Sequence, residues 1–373
     1  MAGYDFPFLI PTLPAIQEWA PLLEASYAAR HYSNGGPLSL EFNQKLKRAY
    51  LEDDYQAIAV TSNTLGLQAV MHALDLRGKR VGLPDFTFAA TLQAVLAAGA
   101  LPVIFDVDSD TTELDAQGVD DYLNDGGKLD VIIHVRCFGF ARDLSPIRDV
   151  SSRHGVPLIV DAAAALGVPG ERTFGMSGEI EVFSLHATKV FAVGEGGMIA
   201  APKQLHDRIK AGTNFGFQED RRFLDGTNAK IDEFRCAIGL TMLEKVEGII
   251  HRRRAHAAKY ISYFNETGFG RPVCSDLQNS WSMFPVIMNE PVEDQLIRDL
   301  YSVGVETRRY YFPCLSIGYL GSQSLEISAN ARAIELNRRM LCFPVYDRPV
   351  DEFWNELHDR FHGVLTRNSR VAT

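Results

Sequence analysis

Short uninterrupted apolar segments alternate with helical segments from residue 57 to residue 201, and this alternation constrains the fold more than any other feature. Strands that lack polar alternation are buried on both faces, which is typical of a parallel sheet covered by helices. The sequence therefore predicts an α/β fold whose large domain holds a mostly parallel seven-stranded sheet flanked by helices. The seven predicted strands cover residues 57–60, 81–83, 101–107, 130–135, 158–161, 180–184 and 198–201.

The chain is long enough for two domains, because 373 residues of which 46% are hydrophobic can bury a large core. We expect a large domain over residues 1–245 and a smaller α+β domain over residues 246–373. A long helix from residue 231 to about residue 264 is expected to carry the chain out of the large domain. A helical pattern also covers residues 16–29, and residues 281–288 are a predicted strand of the small domain.

Charge, hydropathy and cysteine usage exclude several classes of function. A formal net charge of −10 and an isoelectric point near 5.5 argue against a nucleic-acid-binding face. No apolar run approaches the roughly 20 residues of a membrane span, and the first residues lack the basic stretch of a secretory signal. The five cysteines stand singly and form no CxxC motif, so we expect neither disulfides nor a metal site but a cytoplasmic protein.

Polar residues follow two of the predicted strands at their carboxyl ends, where sheets of this kind bind ligands. Residues 61–64, Thr-Ser-Asn-Thr, are N-capping residues that precede a helix, and the amides of a helix N-terminus attract anions. A plain capped helix explains the same pattern. Asp161 ends another strand, where it either faces a ligand or caps the turn that follows.

The most informative segment is residues 183–189, Phe-Ser-Leu-His-Ala-Thr-Lys, which a glycine-rich stretch at 194–197 follows. Lys189 stands at the end of a buried turn, and a desolvated lysine has a lowered pKa that lets it form a Schiff base. Ser184 and Thr188 beside it can hold a phosphate. The segment suggests a pyridoxal 5′-phosphate (PLP) site with Lys189 as the cofactor-binding lysine. A surface turn is the alternative for the segment taken alone.

Five segments, taken in order, resemble the DegT/StrS family of PLP-dependent nucleotide-sugar aminotransferases, which belongs to the aspartate aminotransferase superfamily of fold type I. Each segment alone is weakly informative, but together they extend over residues 36–344, nearly the whole chain. The resemblance implies a fold type I PLP-dependent transferase with PLP as its cofactor. The segments are TSNT at 61–64, PDFTFAAT at 84–91, DAA at 161–163, SLHATK at 184–189 with GEGG at 194–197, and TNAK at 227–230.

The resemblance also implies roles for individual residues. Lys189 would bind the cofactor and carry protons during catalysis, and Asp161 would pair with the protonated pyridine nitrogen. Phe88 would stack on the cofactor ring, with a core residue at a helix start as the alternative. The other implied cofactor contacts are Asn63, Thr64, the Leu65 amide, Ala164, Ser184 and, from the neighbouring subunit of a homodimer with shared sites, Asn228. The implied substrate contacts are His186, Glu195, Tyr310 and Tyr311.

Two departures from the family pattern concern the substrate. Ala164 stands where relatives often carry Gln, His or Glu, a position that usually contacts the cofactor's phenolic oxygen or the sugar. That hydrogen bond is therefore lost or replaced in this chain. Residues 310–313, Tyr-Tyr-Phe-Pro, resemble the family's substrate loop but lack the histidine that often follows it. The departures affect the expected sugar specificity and leave the expected PLP chemistry unchanged.

The resemblance implies a transaminase that moves an amino group from glutamate, which becomes 2-oxoglutarate, to a nucleotide-linked keto-deoxysugar. A 4-keto-6-deoxyhexose is the expected sugar, and the expected products are amino sugars for polysaccharide, O-antigen or glycosylated metabolites. A PLP-dependent sugar dehydratase of the same family is one alternative, but there histidine replaces the lysine, and Lys189 is present. A non-catalytic PLP-fold regulator would need a DNA-binding segment that the sequence does not offer. A nicotinamide dehydrogenase would need a GxGxxG turn after the first strand.

Overall fold

A computed structural model describes residues 4–140, 142–167, 179–220 and 222–371 of the chain. Seven strands match the seven predicted from the sequence: β1 (Tyr55–Val60), β2 (Arg80–Pro84), β3 (Leu101–Phe105), β4 (Val131–Val135), β5 (Leu158–Asp161), β6 (Ile180–Ser184) and β7 (Gly197–Pro202). They lie in the order β1-β7-β6-β5-β4-β2-β3. Strands β2 to β6 are parallel and β7 is antiparallel to both neighbours, so the mostly parallel sheet is confirmed.

Four further strands follow in the chain: β8 (Gly270–Pro272), β9 (Phe284–Met288), β10 (Glu326–Ile327) and β11 (Met340–Phe343). Strand β10 pairs with β3 and extends the large sheet to eight strands in the described ranges, one more than predicted. Glu326 accepts hydrogen bonds from Arg80 Nη2 at 2.5 Å and from the Tyr122 hydroxyl at 2.9 Å. Two exposed residues carry no periodicity, so these long-range contacts, and not the local sequence, define the strand.

The helices are α1 (Ile16–Trp19), α2 (Glu24–Ala29), α3 (Pro37–Tyr50), α4 (Asn63–Ala73), α5 (Ala89–Ala97), α6 (Ala116–Asn124), α7 (Ser145–His154), α8 (Lys203–Gly212), α9 (Glu233–Leu243), α10 (Val246–Thr267), α11 (Asp294–Ser302), α12 (Leu315–Gly318), α13 (Ala331–Arg339) and α14 (Trp354–Val371). Short 3₁₀ helices cover Ala20–Leu23, Cys137–Gly139 and Val350–Glu352.

Three predicted elements have different bounds in the structure. The pattern at residues 16–29 is divided into α1, a 3₁₀ helix and α2, because Pro21 has no N–H with which to continue an α-helix. The prediction of one helix over residues 231–264 is wrong, because α9 ends before Glu244 and α10 begins after Lys245. The strand predicted at residues 281–288 begins only at Phe284, because Trp281 has a φ of 54°, outside the strand region.

Helices cover both faces of the large sheet. On one face α4, α5 and α8 pack against it, and on the other α3, α7 and α9 do so. A second, antiparallel sheet has the order β11-β9-β8, and its side chains join those of α14 in the core of the first face. The division at residue 245 falls at the break between α9 and α10 and stays a prediction. No helix in the described part of the chain is long and apolar enough to cross a bilayer.

Glu233 supplies the cap that the sequence before α3 lacks. The residue before this helix is Gly36, which has no side chain to accept hydrogen bonds from the first turn. The buried Glu233 carboxylate instead accepts from the amides of Leu38 at 2.7 Å and Ser39 at 2.9 Å. It also accepts from the Ser26 hydroxyl at 2.8 Å. A Cβ at Gly36 would lie 2.6 Å from Glu233 Cδ, so this arrangement requires glycine.

We predict that Glu233→Gln lowers the free energy of unfolding by about 2 kcal/mol, because an amide nitrogen would then face donors that need an acceptor. Urea unfolding of the two proteins measures the difference. Glu290→Gln, at an exposed position after β9, is the matched control and should leave the unfolding midpoint unchanged. Equal midpoints for Glu233→Gln and the wild type would contradict the capping role.

Candidate active site

The ends of several strands meet beside the N-terminus of α4. Asp161 ends β5 and Ser184 ends β6, where it pairs with Gly197 at the start of β7. A Cβ on Gly197 would lie 2.8 Å from the Asn63 amide nitrogen, so only glycine lets β7 come this close to the helix. The first turn of α4 therefore lies close to the strand ends that carry the candidate residues.

Asp161 is buried, with 3% of its surface exposed, and accepts three hydrogen bonds. Its Oδ1 accepts from Asn63 Nδ2 at 3.1 Å and from the Ala163 amide at 3.2 Å. Its Oδ2 accepts from the Thr91 hydroxyl at 2.8 Å. The Ala163 bond is the local cap that the sequence left open as an alternative role. The other two bonds come from distant helices, so Asp161 does more than cap a turn.

Burial shifts the titration of both central groups toward their neutral forms. It raises the pKa of Asp161, and the hydrogen bonds from Thr91 and Asn63 and the charge of Lys189 oppose the rise. It lowers the pKa of Lys189, and the charge of Asp161 opposes the fall. An aspartate in such a position suits a cationic ligand atom, and a lysine with a lowered pKa suits a nucleophile.

Lys189 lies in a tight turn that main-chain hydrogen bonds close. The Ala187 amide donates to the Gly194 carbonyl at 2.7 Å, and the Lys189 amide donates to the His186 carbonyl at 2.8 Å. Gly194 has a φ of 94°, a left-handed conformation that favours glycine. In the described ranges no acceptor lies within hydrogen-bond distance of the Lys189 ε-amine, which is therefore available to a ligand.

The phosphate contacts implied by the resemblance lie at the start of α4 and the end of β6. Thr64 is in the first turn of the helix, where amides have no partner within the helix. The Leu65 amide already donates to Ser62 Oγ at 3.2 Å, so a phosphate would have to share or replace this cap. The Ser184 hydroxyl accepts from the amide two residues on at 3.2 Å and retains its proton to donate to an anion.

Two residues position Asp161, and sequence reasoning assigned this role to neither. Asn63 was expected to contact the cofactor, but its side-chain amide donates to Asp161 and, at 2.9 Å, to the Val182 carbonyl. Thr91 was quoted only as part of a family segment. Its hydroxyl also lies 3.1 Å from that of Thr87, four residues earlier and before the start of α5. A pair of threonines four residues apart, one before and one inside a mostly apolar helix, was the signal available in the sequence.

A chain of two hydrogen bonds connects Asp161 to a cavity of about 790 Å³. The Thr91 hydroxyl bonds to Asp161 and to the Thr87 hydroxyl, and Thr87 lines the cavity. Its lining includes Thr87 and Phe88 on one side and much of residues 307–321 on the other. Phe88 is 59% exposed, which contradicts the alternative that it is a core residue and leaves its ring free to contact a ligand. Tyr310 and Tyr311, both expected substrate contacts, line the same cavity.

The two tyrosines make different contacts. Tyr311 stacks on Phe138 with ring centroids 5.3 Å apart and contacts the edge of Phe86. Burial raises the pKa of Tyr311 well above its ordinary value, so its phenol stays protonated. Tyr310 is partly buried, and its hydroxyl accepts from Arg308 Nη1 at 3.2 Å.

His186 and Glu195 lie on the turn that carries Lys189. His186 Nε2 lies 3.5 Å from Glu195 Oε1, and both side chains are about half exposed. His186 Nδ1 lies 2.8 Å from the Thr188 hydroxyl, so Thr188, which the sequence suggested as a phosphate contact, is engaged by the histidine. The structure therefore groups His186 and Glu195 with the lysine turn, and the two tyrosines with the cavity.

The main chain of Ala164 lies against Gly139 and Ser280. Gly139, with a φ of 84°, comes so close that a Cβ there would lie 2.0 Å from the Ala164 carbonyl oxygen. The same carbonyl accepts from the Ser280 hydroxyl at 3.4 Å. The methyl group of Ala164 has no polar atom, so it cannot make the hydrogen bond that the resemblance implies at this position.

Asn228 is exposed, and its side chain accepts from Lys230 Nζ at 2.6 Å. The neighbouring Ala229 carbonyl accepts from the Thr61 amide at 2.8 Å. Residues 227–230 therefore run beside the end of β1 in their own chain, next to the first turn of α4. Among the cofactor contacts that the resemblance implies, Asn228 is the one expected to serve the site of a second subunit.

These residues fit PLP by their own chemistry. The buried Asp161 suits a protonated ring nitrogen, and the start of α4 with Ser184 suits a phosphate. Lys189 offers an amine that contacts no hydrogen-bond acceptor in the described ranges, and Phe88 offers an exposed ring.

Comparison with known proteins extends this result to the whole chain. A dTDP-4-amino-4,6-dideoxy-D-glucose transaminase from Shigella dysenteriae is 28% identical over 346 residues, 90% of this chain and 92% of that protein. GDP-perosamine synthase from Vibrio cholerae is 28% identical over 270 residues, 69% of this chain and 72% of that protein. The crystal structure of DesI in the presence of its TDP-sugar product shares 30% identity and a TM-score of 0.86, covering 100% of this chain and 96% of that one.

Residues 16–359 match the DegT/DnrJ/EryC1/StrS aminotransferase family. The match includes the strand ends, the lysine turn and the cavity described above. The chain therefore belongs to the DegT/DnrJ/EryC1/StrS aminotransferase family and is a PLP-dependent transaminase.

Proposed function

We propose that this transaminase moves an amino group from glutamate to a nucleotide-linked keto-deoxysugar, with a 4-keto-6-deoxyhexose as the preferred sugar. The observation that carries the proposal is the 790 Å³ cavity two hydrogen bonds from Asp161. Ligand cavities of roughly 300–1,000 Å³ are usual for molecules of this size. The names of two relatives given above refer to dTDP-linked and GDP-linked sugars. These names support a nucleotide sugar as the substrate and leave the identity of its base open.

The residues of the site would divide the chemistry between them. PLP, when bound, supplies an electron sink for bond changes at the amine-bearing carbon. Asp161, held by Thr91 and Asn63, would keep a negative charge opposite the ring nitrogen. Lys189 would hold the cofactor and, once displaced by an amine, carry a proton, because its lowered pKa leaves a neutral fraction that can accept one. Ser184 and the first turn of α4 would orient the phosphate.

The cavity suits a sugar nucleotide in charge as well as in size. Arg309 lines it with its guanidinium carbon 3.7 Å from the centre of the Phe312 ring. Its Nη1 forms an ion pair with Asp294 at 3.4 Å, and its Nε is buried and has no hydrogen-bond partner in the described part of the chain. Asp294 and Arg308 also line the cavity, so the lining carries two guanidinium groups against this carboxylate. A guanidinium suits a diphosphate, and the exposed rings of Phe312 and Phe88 suit planar groups. We therefore place the nucleotide in this cavity.

Lys189→Ala should abolish transamination, because it removes both the cofactor attachment and the proton carrier. Borohydride reduction of the wild type followed by peptide mapping should place PLP on the peptide that contains Lys189. Glutamate with a panel of dTDP- and GDP-linked 4-keto-6-deoxyhexoses, read by mass spectrometry, tests the substrate. Lys203→Ala, at an exposed position of α8, is the control with unchanged activity. PLP on another lysine, or amination of no member of the panel, would contradict the proposal.

Thr91→Val should move the acid limb of the pH profile to higher pH by about one unit. The Thr91 hydrogen bond lowers the pKa of Asp161, so its loss raises that pKa and leaves less of the carboxylate ionised at a given low pH. The measurement is kcat/KM for glutamate as a function of pH. Thr241→Val replaces another buried threonine, whose hydroxyl donates to the Ala237 carbonyl, and should leave the profile unchanged. An unmoved acid limb in Thr91→Val would contradict the positioning role.

We further propose a cytoplasmic homodimer in which Asn228 of each chain completes the site of its partner. Asn214 and Asn228 form an antiparallel bridge, as do Phe217 and Phe223, so residues 214–217 run beside residues 223–228. Phe215, Phe217 and Phe223 are 49%, 50% and 70% exposed, and such apolar surface suits burial against a second copy. The scattered cysteines, four of them buried thiols, support a reducing compartment.

Mixed dimers test the shared site. Lys189→Ala and Asn228→Asp should each be impaired, the second because loss of a hydrogen bond to a charged phosphate costs roughly 1.5–3 kcal/mol and the new charge repels it. After exchange of subunits in an equal mixture, one site of each mixed dimer combines the intact Lys189 and Asn228. About a quarter of wild-type activity should then return. If the mixture stays inactive although native mass spectrometry detects mixed dimers, Asn228 serves its own chain.

A further inference from the structure

Polar bonds add to packing in holding one wall of the cavity. The wall is residues 310–321, and three of its apolar side chains are mostly exposed: Phe312 at 52%, Ile317 at 54% and Leu320 at 94%. Exposed apolar side chains contribute little burial free energy, so they cannot by themselves fix the wall in place. The buried Leu315 and the stacking of Tyr311 on Phe138 pack part of the wall on the core, and hydrogen bonds at the start of α12 add to this packing.

Asp85, at the end of β2, makes three hydrogen bonds to the first turn of α12 within this wall. Its Oδ1 accepts from the Ser316 amide at 2.7 Å, and its Oδ2 accepts from the Ser316 hydroxyl at 2.6 Å. Its main-chain oxygen accepts from the Leu315 amide at 3.1 Å. The Ser316 hydroxyl in turn accepts from Asn330 Nδ2 at 3.0 Å, so its own proton remains directed to Asp85.

The opposite side of the cavity belongs to the same short segment. Thr87 and Phe88 follow Asp85 by two and three residues, and the Asp85 amide donates to the Phe105 carbonyl of β3 at 2.8 Å. Asp85 is fully buried, and no basic side chain forms an ion pair with it in the described ranges. Its bonds to the wall are therefore the main compensation for burying the carboxylate.

We propose that Asp85 is a positioning residue for the amino acceptor, because it sets the distance between the wall at residues 310–321 and the opposite side at Thr87 and Phe88. This inference rests on the proposed function, in which the cavity holds the nucleotide-linked keto sugar. The amino donor is small and reacts at Lys189, so its reaction does not depend on the wall. Loss of the Asp85 carboxylate should therefore impair the half-reaction with the keto-sugar nucleotide and leave the half-reaction with the amino donor nearly unchanged.

Asp85→Asn places an amide nitrogen against a Ser316 donor and keeps the shape of the side chain. We expect kcat/KM for the keto-sugar nucleotide to fall about tenfold, mainly through KM, and kcat/KM for glutamate to stay within about twofold. Ser316→Ala should have a smaller effect in the same direction. The double variant should be no worse than Asp85→Asn, because both changes remove the same bond.

Asp120→Asn is the matched control. Asp120 is also buried, but it binds Arg153 at 2.6 Å and His154 at 2.7 Å between α6 and α7, and it does not line the cavity. It should change neither half-reaction. An equal loss in both half-reactions of Asp85→Asn, or no loss in either, would overturn the proposal, because a merely stabilising residue cannot distinguish the two substrates.

Hydrogen–deuterium exchange provides a readout that needs neither cofactor nor substrate. Amides of residues 314–321 should exchange about tenfold faster in Asp85→Asn than in the wild type, with the amides of α4 unchanged. Exchange at the wild-type rate would show that Asp85 does not hold the wall and would overturn the inference. A wild-type enzyme that aminates no keto-sugar nucleotide would overturn the proposed function and the acceptor role together, and exchange would still decide whether Asp85 holds the wall.

Discussion

The candidate site depends on Asp161, a carboxylate that the fold buries without an ion-pair partner in the described residues. Asp161 accepts hydrogen bonds from Asn63, Thr91 and Ala163, and no basic side chain contacts it closely enough for an ion pair in the described part of the chain. Hydrogen bonds offset only part of the cost of burying a charge, which is why burial still raises the pKa of Asp161. In the proposed function a cationic ring nitrogen would complete this environment, so cofactor binding and the ionisation of Asp161 would be linked.

The same few contacts bring the other end of the cofactor site close to Asp161. Gly197 lets β7 approach the first turn of α4, and Asn63 in that turn reaches across to Asp161. The helix N-terminus that suits a phosphate and the carboxylate that suits the ring nitrogen are therefore fixed relative to each other through one residue. Lys189 joins them because main-chain bonds close its turn at the end of β6, next to β7.

The C-terminal part of the chain is attached to the ends of β2 and β3 by two carboxylates used in the same way. Asp85 accepts from the Ser316 amide at the start of α12, and Asp106 accepts from the Ala333 amide at 2.8 Å at the start of α13. Each carboxylate caps a helix that lies more than two hundred residues away in the sequence. Because these polar bonds and the buried Leu315 hold the wall, its exposed apolar side chains remain free to contact a ligand.

The sequence by itself determined the seven strands, the strand-end position of Asp161 and the lysine turn, because buried strands and glycine-rich turns depend on neighbouring residues. Five ordered segments were also enough to identify the family and the cofactor. Only the tertiary structure decided that β10 joins the sheet, that Asn63 and Thr91 serve Asp161, and that Asp85 holds the cavity wall. Asn63 and Thr91 lie 98 and 70 positions from Asp161 in the sequence, and Ser316 lies 231 positions from Asp85. No local sequence pattern encodes which distant donor reaches a buried carboxylate.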